Sequence, residues 1–283
     1  MLKVILLGTG EPSPSLRRAG ASQVVVVDQD LLLFDCGPGA TYQMLRAGID
    51  PRRIGKLFLT HLHWDHTTDI PHFALSTWTF RREGNLQVFG PAGAADMMEA
   101  FFGRAFQVDI ATRVRAVKGR APIRVDVTEI AEGIVDRTER WTVTAAEVDH
   151  WQSLCPDIPS PCYGYRVDTP EGSIVISGDT RPCERLVRLA AEADVLVHEC
   201  GFTDEERERA AKMGRPPLWH ITASELGKVA REARVKTLVL THLSPHRRPE
   251  ALEAMRRDVA RSFDGEIVVG EDLLEVCVTL HGF

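Results

Sequence analysis

The sequence predicts an α/β fold in which strands and helices form layers. Short apolar runs of strand type recur along the 283-residue chain, and stretches with helical spacing of apolar residues lie between them. Strands that follow one another dominate early, and strands that alternate with helices dominate later. No Ser/Gly-rich or Pro-rich linker divides the chain, so we expect one domain over residues 1–283.

The predicted elements follow from these patterns in chain order. The strands are short runs rich in Val, Ile, Leu and Phe: Lys3–Leu7, Gln23–Asp28, Leu31–Phe34, Lys56–Leu59, Leu86–Phe89, Ile123–Val127, Thr142–Val148, Tyr163–Val167, Ser173–Ser177, Val195–His198, Thr237–Leu240, Ile267–Val269 and Leu274–Val278. The helices carry apolar residues three or four positions apart: Ala40–Ala47, Ala92–Phe102, Glu184–Glu192, Asp204–Met213, Thr222–Glu232 and Glu250–Arg261.

Composition limits the class of protein. A hydrophobic fraction of 44% with 26% charged residues is typical of a globular protein with a substantial core. The apolar runs are much shorter than the roughly 18 residues of a membrane span, and no signal-peptide core follows Lys3, so we expect a cytoplasmic protein without a membrane partner. Six scattered cysteines without a C-x-x-C pair indicate free thiols. A net charge of −6 speaks weakly against general nucleic-acid binding.

The strongest chemical signal follows the predicted strand Lys56–Leu59. The segment His61-Leu62-His63-Trp64-Asp65-His66 contains four side chains of metal-ligand type. In extended backbone His61 and His63 face the same way, and a turn into a helix would bring Asp65 and His66 to a second ion. Imidazole and carboxylate together suit Zn²⁺, with manganese or iron as alternatives.

Three further ligand candidates each follow a predicted strand. They are His150, Asp179 and His242. Each alone could be structural, and Asp179 could cap a helix that begins near Pro182. Beside the histidine-rich segment, however, the three together favour a metal centre.

These motifs resemble those of the metallo-β-lactamase-fold hydrolases, and their order resembles the branch that contains tRNase Z and bacterial arylsulfatase-like enzymes. The segments that carry the resemblance are Leu7–Pro12, Phe34–Gly39, His61–His66, Asp149–His150, Ser177–Thr180, His198–Glu199, Trp219–Gly227, Leu238–Ser244 and Phe263–Glu266. The resemblance implies a four-layer αββα sandwich with its metal site at the edge where strand ends meet. It implies one ion held by His61, His63 and His150, a second held by Asp65, His66 and His242, and Asp179 bridging them.

The resemblance also implies roles in catalysis. Two zinc ions about 3.5–4 Å apart would generate a bridging hydroxide that attacks the substrate. Asp65 would take the proton of this nucleophile, His220 would protonate the leaving group, and Glu199 would hydrogen-bond His220. The sequence departs from the family pattern at Cys200–Phe202 and at Ile221, which bears on this proton relay. A structural alternative for His220 is a place beside the start of the helix Thr222–Glu232.

The interval between two of the candidate ligands bears on the substrate. Fewer than 30 residues separate His150 from Asp179, which leaves no room there for the basic arm with which tRNase Z enzymes grip tRNA. We therefore expect a binuclear zinc hydrolase that cleaves a sulfate or phosphate ester of a small, anionic or aromatic substrate, and rank tRNA lower. The alternatives are a tRNA 3′-processing endonuclease, a cyclic-nucleotide phosphodiesterase and a non-catalytic metal-binding scaffold.

The aromatic segment His72–Phe80 follows the metal motif. It could form a pocket wall, a lid or a dimer contact, and core packing is the structural alternative. The branch resemblance also suggests a homodimer.

Overall fold

The computed structural model describes residues 1–214 and 219–278. The strands within this range are β1 (Leu2–Gly8), β2 (Ser22–Val27), β3 (Asp30–Phe34), β4 (Lys56–Phe58), β5 (Leu86–Gly90), β6 (Val125–Glu129), β7 (Gly133–Arg137), β8 (Thr142–Val148), β9 (Cys162–Thr169), β10 (Gly172–Ile176), β11 (Val195–Glu199), β12 (Thr237–Thr241), β13 (Glu266–Val269) and β14 (Glu275–Cys277). The helices are α1 (Ala40–Arg46), α2 (Trp64–Thr67), α3 (Ile70–Thr79), α4 (Ala94–Met98), α5 (Gln107–Ala116), α6 (Glu184–Leu189), α7 (Asp204–Lys212), α8 (Ala223–Ala233) and α9 (Pro249–Ala260). A π-helical segment, Glu99–Ala105, follows α4.

The strands form two mixed seven-stranded sheets. The first has the order β14-β1-β2-β3-β4-β5-β6, and the second has the order β13-β12-β11-β10-β9-β8-β7. Strands β3 to β6 run parallel to one another, as do β10 to β13. Because parallel strands end at the same edge, the loops that follow β4, β10 and β12 can meet there.

Three hydrophobic clusters separate four layers. The central cluster joins the inner faces of the two sheets and contains Phe34, Phe58 and Tyr165. The outer face of the first sheet packs against α1, α3 and α4, with Met44 and Phe73 in the contact. The outer face of the second sheet packs against α6, α8 and α9. The predicted αββα sandwich is therefore confirmed.

The structure contains elements that the sequence patterns did not indicate. The helix α5 has no buried residue and so lacks the apolar stripe that marks an amphipathic helix. The strand β7 lies at a sheet edge, begins with a glycine and has no fully buried residue. Helix α3 covers most of the aromatic segment, whose secondary structure the sequence patterns did not predict.

The structure also bears on two expectations about the chain's environment. Among the residues described, none of the helices combines the length and apolar character needed to cross a bilayer. All six cysteines lie in the described ranges, and none forms a disulfide.

Candidate metal centre

Seven side chains predicted as metal ligands converge at the edge where the strand ends meet. One group contains His61, His63, His150 and Asp179, and a second contains Asp65, His66 and His242. In each group one potential donor atom of every residue lies within 4.8 Å of the others. The structure thus brings together both predicted ligand sets, from loops that follow β4, β8, β10 and β12.

Asp179 lies between the two groups. Its Oδ1 is 3.5 Å from His66 Nε2, and its Oδ2 is 3.3 Å from His242 Nε2 and 3.8 Å from His150 Nε2. Two ligands at about 2.0–2.2 Å from one tetrahedral ion lie roughly 3.3–3.6 Å from each other. The observed separations are therefore close to those of donors that share an ion, and Asp179 faces both groups with its two oxygens.

The hydrogen bonds of His61 and His66 leave one nitrogen of each ring for an ion. His61 Nδ1 donates to Thr60 Oγ1 over 2.9 Å, and His66 Nδ1 donates to Asp35 Oδ2 over 2.7 Å. Among the described residues, Nε2 of both rings is buried and has no hydrogen-bond partner. A buried polar nitrogen without a partner is unfavourable, and a cation would satisfy its lone pair. The residues present therefore fit a divalent metal.

His150 is oriented in the same way. Its Nδ1 donates to the backbone carbonyl of Trp219 over 2.9 Å, which leaves Nε2 directed at His63 Nδ1, 3.3 Å away. Two unprotonated imidazole nitrogens at this separation repel unless a proton or a cation lies between them. This separation suits two ligands of one ion as well as a hydrogen bond between the two rings.

Sequence reasoning missed Asp35 as a functional residue. Its φ of 54° places it in the left-handed region, and its carboxylate accepts hydrogen bonds from the backbone N–H and the hydroxyl of Thr60, both over 2.8 Å. Through Thr60 and its direct bond to His66, Asp35 fixes rings in both groups. The sequence feature that could have pointed to Asp35 is its place directly after a buried strand and before Cys36-Gly37.

Burial sets the protonation of the first group. It lowers the pKa of His61 well below its usual value and, together with the charge of His150, lowers the pKa of His63 to about 4. Burial alone would raise the pKa of Asp179, but the imidazoles of His242 and His66 that face it hold it well below the ordinary range. Neutral imidazoles around an ionised carboxylate are the forms that bind metals.

Two residues adopt positive φ values at the ends of parallel strands. His242 has φ of 55°, and Gly178, directly before Asp179, has φ of 62°. A Cβ at Gly178 would lie 2.8 Å from Thr60 Cβ. Backbone strain of this kind is kept where surrounding structure requires it, and here it directs a ligand side chain into the site.

Glu199 and His220 form the pair that the sequence predicted. His220 Nδ1 donates to Glu199 Oε1 over 3.0 Å, and the same oxygen accepts from the backbone N–H of Thr180 over 3.2 Å. Burial lowers the pKa of His220, but the charge and hydrogen bond of Glu199 outweigh this and raise it to about 9. His220 is 21% exposed, whereas Asp179 and His242 are 4% exposed, so its ring faces the open side of the site.

The geometry offers a second role for His220. One donor atom of His220 lies within 4.8 Å of donors of Asp179 and His242, so it could also join a ligand set. However, the nitrogen nearest Asp179 is Nδ1, at 4.0 Å, and this atom is engaged by Glu199. The hydrogen bond with Glu199 therefore leaves Nε2 of His220 as the nitrogen available to other groups.

The aromatic segment His72–Phe80 is divided between the core and a surface groove. Phe73 is fully buried in the core, as the structural alternative proposed. His72 and Phe80 line a groove of about 660 Å³ between α1 and α3, together with Tyr42 and Leu45, and no predicted metal ligand lines it. The segment is thus a wall of a separate groove, and its role as a lid or dimer contact stays a prediction.

A second cavity, of about 450 Å³, lies beside the metal centre. Its lining includes Glu11, Phe202, Glu206, Ser244, His246, Arg247 and Arg248. The Phe202 ring is 6.2 Å from the His220 ring, and Ser244 follows His242 by two positions. Arg247 is paired with Glu206, whereas Arg248 forms no ion pair among the described residues. The cavity therefore combines an aromatic ring and a free cation near the reacting groups.

The chain is similar in sequence and in fold to known proteins. Residues 31–243 match the beta-lactamase superfamily domain. The chain is 36% identical over 280 residues to a protein named Ribonuclease Z from Mycobacterium sp. (strain KMS), covering 98% of this chain and 96% of the relative. In structure it resembles the metallo-beta-lactamase fold protein YhfI from Bacillus subtilis (TM-score 0.75, 19% identity, 97% and 98% of the two chains) and the short form of human tRNase Z (TM-score 0.71, 23% identity, 98% and 100%).

Proposed function

The chain belongs to the beta-lactamase superfamily and to its ribonuclease Z branch of metallo-hydrolases, and on that premise we propose that it is a phosphodiesterase that processes the 3′ ends of tRNA. The observation that carries the proposal is the convergence of both ligand groups in a chain with Ribonuclease Z relatives of matching length. These relatives favour the endonuclease that the sequence analysis ranked second. They give no support to hydrolysis of sulfate esters.

The lack of a basic arm between His150 and Asp179 is not an argument against RNA as the substrate. Between β8 and β9 the chain has only the loop 149–161. The 280 aligned residues make up 96% of the mycobacterial relative, so that protein is about as long as this chain and has little room for an additional arm. The short interval between His150 and Asp179 therefore does not distinguish this chain from proteins named Ribonuclease Z.

We propose that the two groups of side chains hold two divalent cations. His61, His63 and His150 would hold one, and Asp65, His66 and His242 the other, with Asp179 in contact with both. Bound there, the ions would polarise the scissile phosphodiester and lower the pKa of an attacking water. Zinc suits this donor set, with manganese or iron as alternatives.

The side chains around the ions would orient the substrate and move protons. Asp65, whose Oδ2 is 3.3 Å from His242 Nε2, would accept the proton of the attacking water. His220, held by Glu199 through Nδ1, would donate a proton from Nε2 to the departing ribose oxygen. Phe202 would stack on a base, and Arg248 would contact a neighbouring phosphate. We also propose that the protein acts in the cytoplasm, as expected from the sequence.

A comparison of substrates tests the proposed function. The metal-loaded protein is assayed on a precursor tRNA, an aryl phosphodiester, a cyclic nucleotide, an aryl sulfate and a lactone, with the Asp179→Ala variant as control. We expect the largest kcat/KM on the precursor tRNA, slower turnover of the aryl phosphodiester and no turnover by the variant. Faster turnover of the aryl sulfate or the cyclic nucleotide would support those alternatives, and no turnover of any substrate would favour a scaffold.

A further inference from the structure

A basic cavity lies apart from the metal centre. It has a volume of about 560 Å³ and contains five cationic side chains in its lining, those of Arg81, Arg82, Lys118, Arg120 and Arg124. Trp78 and Asn85 complete its polar and aromatic surface. This concentration of positive charge is unusual in a chain with a net charge of −6.

The cations of the basic cavity are held mainly by neutral groups. Among residues 1–214 and 219–278, none of the five forms an ion pair with a carboxylate. Arg82 donates to the hydroxyl of Thr77 over 2.7 Å, and Arg120 donates to the carbonyl of Thr79 over 3.1 Å. The Arg120 guanidinium also lies 5.1 Å from the centre of the Trp78 ring. Neutral groups therefore hold these arginines in place without neutralising them.

Two guanidinium nitrogens remain unsatisfied. Nε of Arg82 and one terminal nitrogen of Arg120 are shielded from solvent and have no hydrogen-bond partner among the described residues. Burial also lowers the pKa of Arg82 to about 10, which still leaves the side chain charged at neutral pH. A partly buried cation without a counter-charge is unfavourable, and a bound oxyanion would both pair with it and accept its free N–H groups.

The position of the basic cavity separates it from hydrolysis. Asn85 precedes β5 and Arg124 precedes β6, so the cavity lies at the starting ends of two parallel strands. The metal ligands follow the opposite end of β4, which runs parallel to β5. A strand of five residues spans about 17 Å, so a group bound in the cavity is far from the bond that the metal centre cleaves.

We propose that the basic cavity binds a phosphate group. Five unpaired cations in a concave surface match a tetrahedral oxyanion with several acceptor oxygens, and arginine forks suit its geometry. The phosphate can belong to the backbone of a bound RNA or to a small free molecule, and both sources present the same chemistry. This site does not depend on cleavage of RNA by the metal centre.

The test removes positive charge from three exposed side chains that line the basic cavity. Arg81→Gln, Lys118→Gln and Arg124→Gln are combined in one protein, because all three side chains are exposed. The matched control combines Lys228→Gln, Arg231→Gln and Arg257→Gln, three exposed cations on α8 and α9 that form no ion pair among the described residues. Both variants lose the same charge, and circular dichroism checks that both remain folded.

Two measurements on the metal-loaded proteins distinguish the sources of phosphate. The first is binding of a mature tRNA at several salt concentrations, for which the cavity variant is expected to bind about tenfold more weakly than the control, with a salt slope smaller by about 2. The second is the rise in Tm caused by inorganic phosphate at constant ionic strength, which is expected to be roughly halved in the cavity variant only. Phosphate bound at the metal centre contributes equally to all proteins.

The results of these two measurements show whether the basic cavity binds phosphate and which kind of molecule carries that phosphate. A loss confined to tRNA binding assigns the cavity to RNA, and a loss confined to the phosphate effect assigns it to a small phosphate compound. If the cavity variant matches the control in both measurements, the cavity does not bind phosphate. Failure of the wild-type protein to cleave precursor tRNA would contradict the proposed function alone, because neither measurement here requires cleavage.

Discussion

At the scale of single residues, the metal centre depends on which nitrogen of each histidine carries the proton. Acceptors behind the rings, such as Thr60 Oγ1 and the Trp219 carbonyl, hold Nδ1–H of His61 and His150. The sequence predicted these histidines because each follows a strand end. It could not predict the acceptor of His150, because a backbone carbonyl carries no side-chain signal and Trp219 is 69 positions from His150.

The role of His220 is testable at this scale. We expect His220→Ala to keep its metal content, because Nδ1 is bonded to Glu199 and the other ligands remain. Turnover of substrates with poor leaving groups should fall by about 10²–10⁴-fold, since they need a proton donor, while an aryl phosphodiester with a good leaving group is slowed much less. Metal analysis and kcat on both substrate types check this.

Two different results for His220→Ala would contradict the proton-donor role of His220. Loss of about one ion per chain would make His220 a metal ligand of the group with Asp179 and His242. Equal slowing of good and poor leaving groups would remove the proton-donor role while leaving the metal centre intact.

At the scale of elements, the site is built by loops at the ends of parallel strands. The apolar composition of β4, β10 and β12 was sufficient to predict them, and with them the positions of the ligands that follow. The helix α5 and the strand β7 were not predicted, and neither has a fully buried residue. Exposed elements leave only a weak apolar pattern in the sequence, although α7, which also has no buried residue, was predicted from its spacing.

The close packing of the loop after β10 can be tested by substituting its glycine. Gly178→Ala places a Cβ 2.8 Å from Thr60 Cβ, whereas Gly48→Ala, at a similar φ of 72°, meets nothing within 4 Å. Both variants incur about 1–2 kcal/mol for a left-handed alanine, so any further loss of stability in Gly178→Ala reports the contact with Thr60. We expect only Gly178→Ala to lose metal and activity, as measured by denaturant unfolding and metal analysis.

The same two glycine variants can also show that the contact between the β10 loop and Thr60 is unimportant for the site. If Gly178→Ala and Gly48→Ala lose the same stability and both retain metal, then the close approach of the β10 loop to Thr60 does not shape the site.

At the scale of the whole molecule, the two sheets share one central core and both supply ligands. Tyr165 of the second sheet packs against Phe34 and Phe58 of the first. We therefore propose that residues 1–283 act as one domain, as expected from the absence of a linker. The net charge of −6 says little about RNA binding, because the cations of the basic cavity are concentrated at one place.

The expected homodimer gives a prediction at the same scale. The groove between α1 and α3 exposes Tyr42, Leu45 and Phe80, at 64%, 59% and 69%. An apolar patch of this kind is favourable to cover, and a second copy is the partner we expect. Leu45→Arg should shift the protein to a monomer, whereas Leu16→Arg, at a fully exposed leucine outside the groove, should not. Light scattering after size-exclusion chromatography measures the mass, and a monomeric wild-type protein would contradict the expectation.

We propose that hydrolysis depends on two metal ions held by the converging histidines and aspartates. Elemental analysis of the purified protein, combined with phosphodiesterase assays during removal and return of the metal, tests it most directly. We predict about two transition-metal ions per chain, activity that is lost on chelation and restored with the metal, and no activity in Asp179→Ala. Turnover retained by the fully metal-free protein would contradict the account.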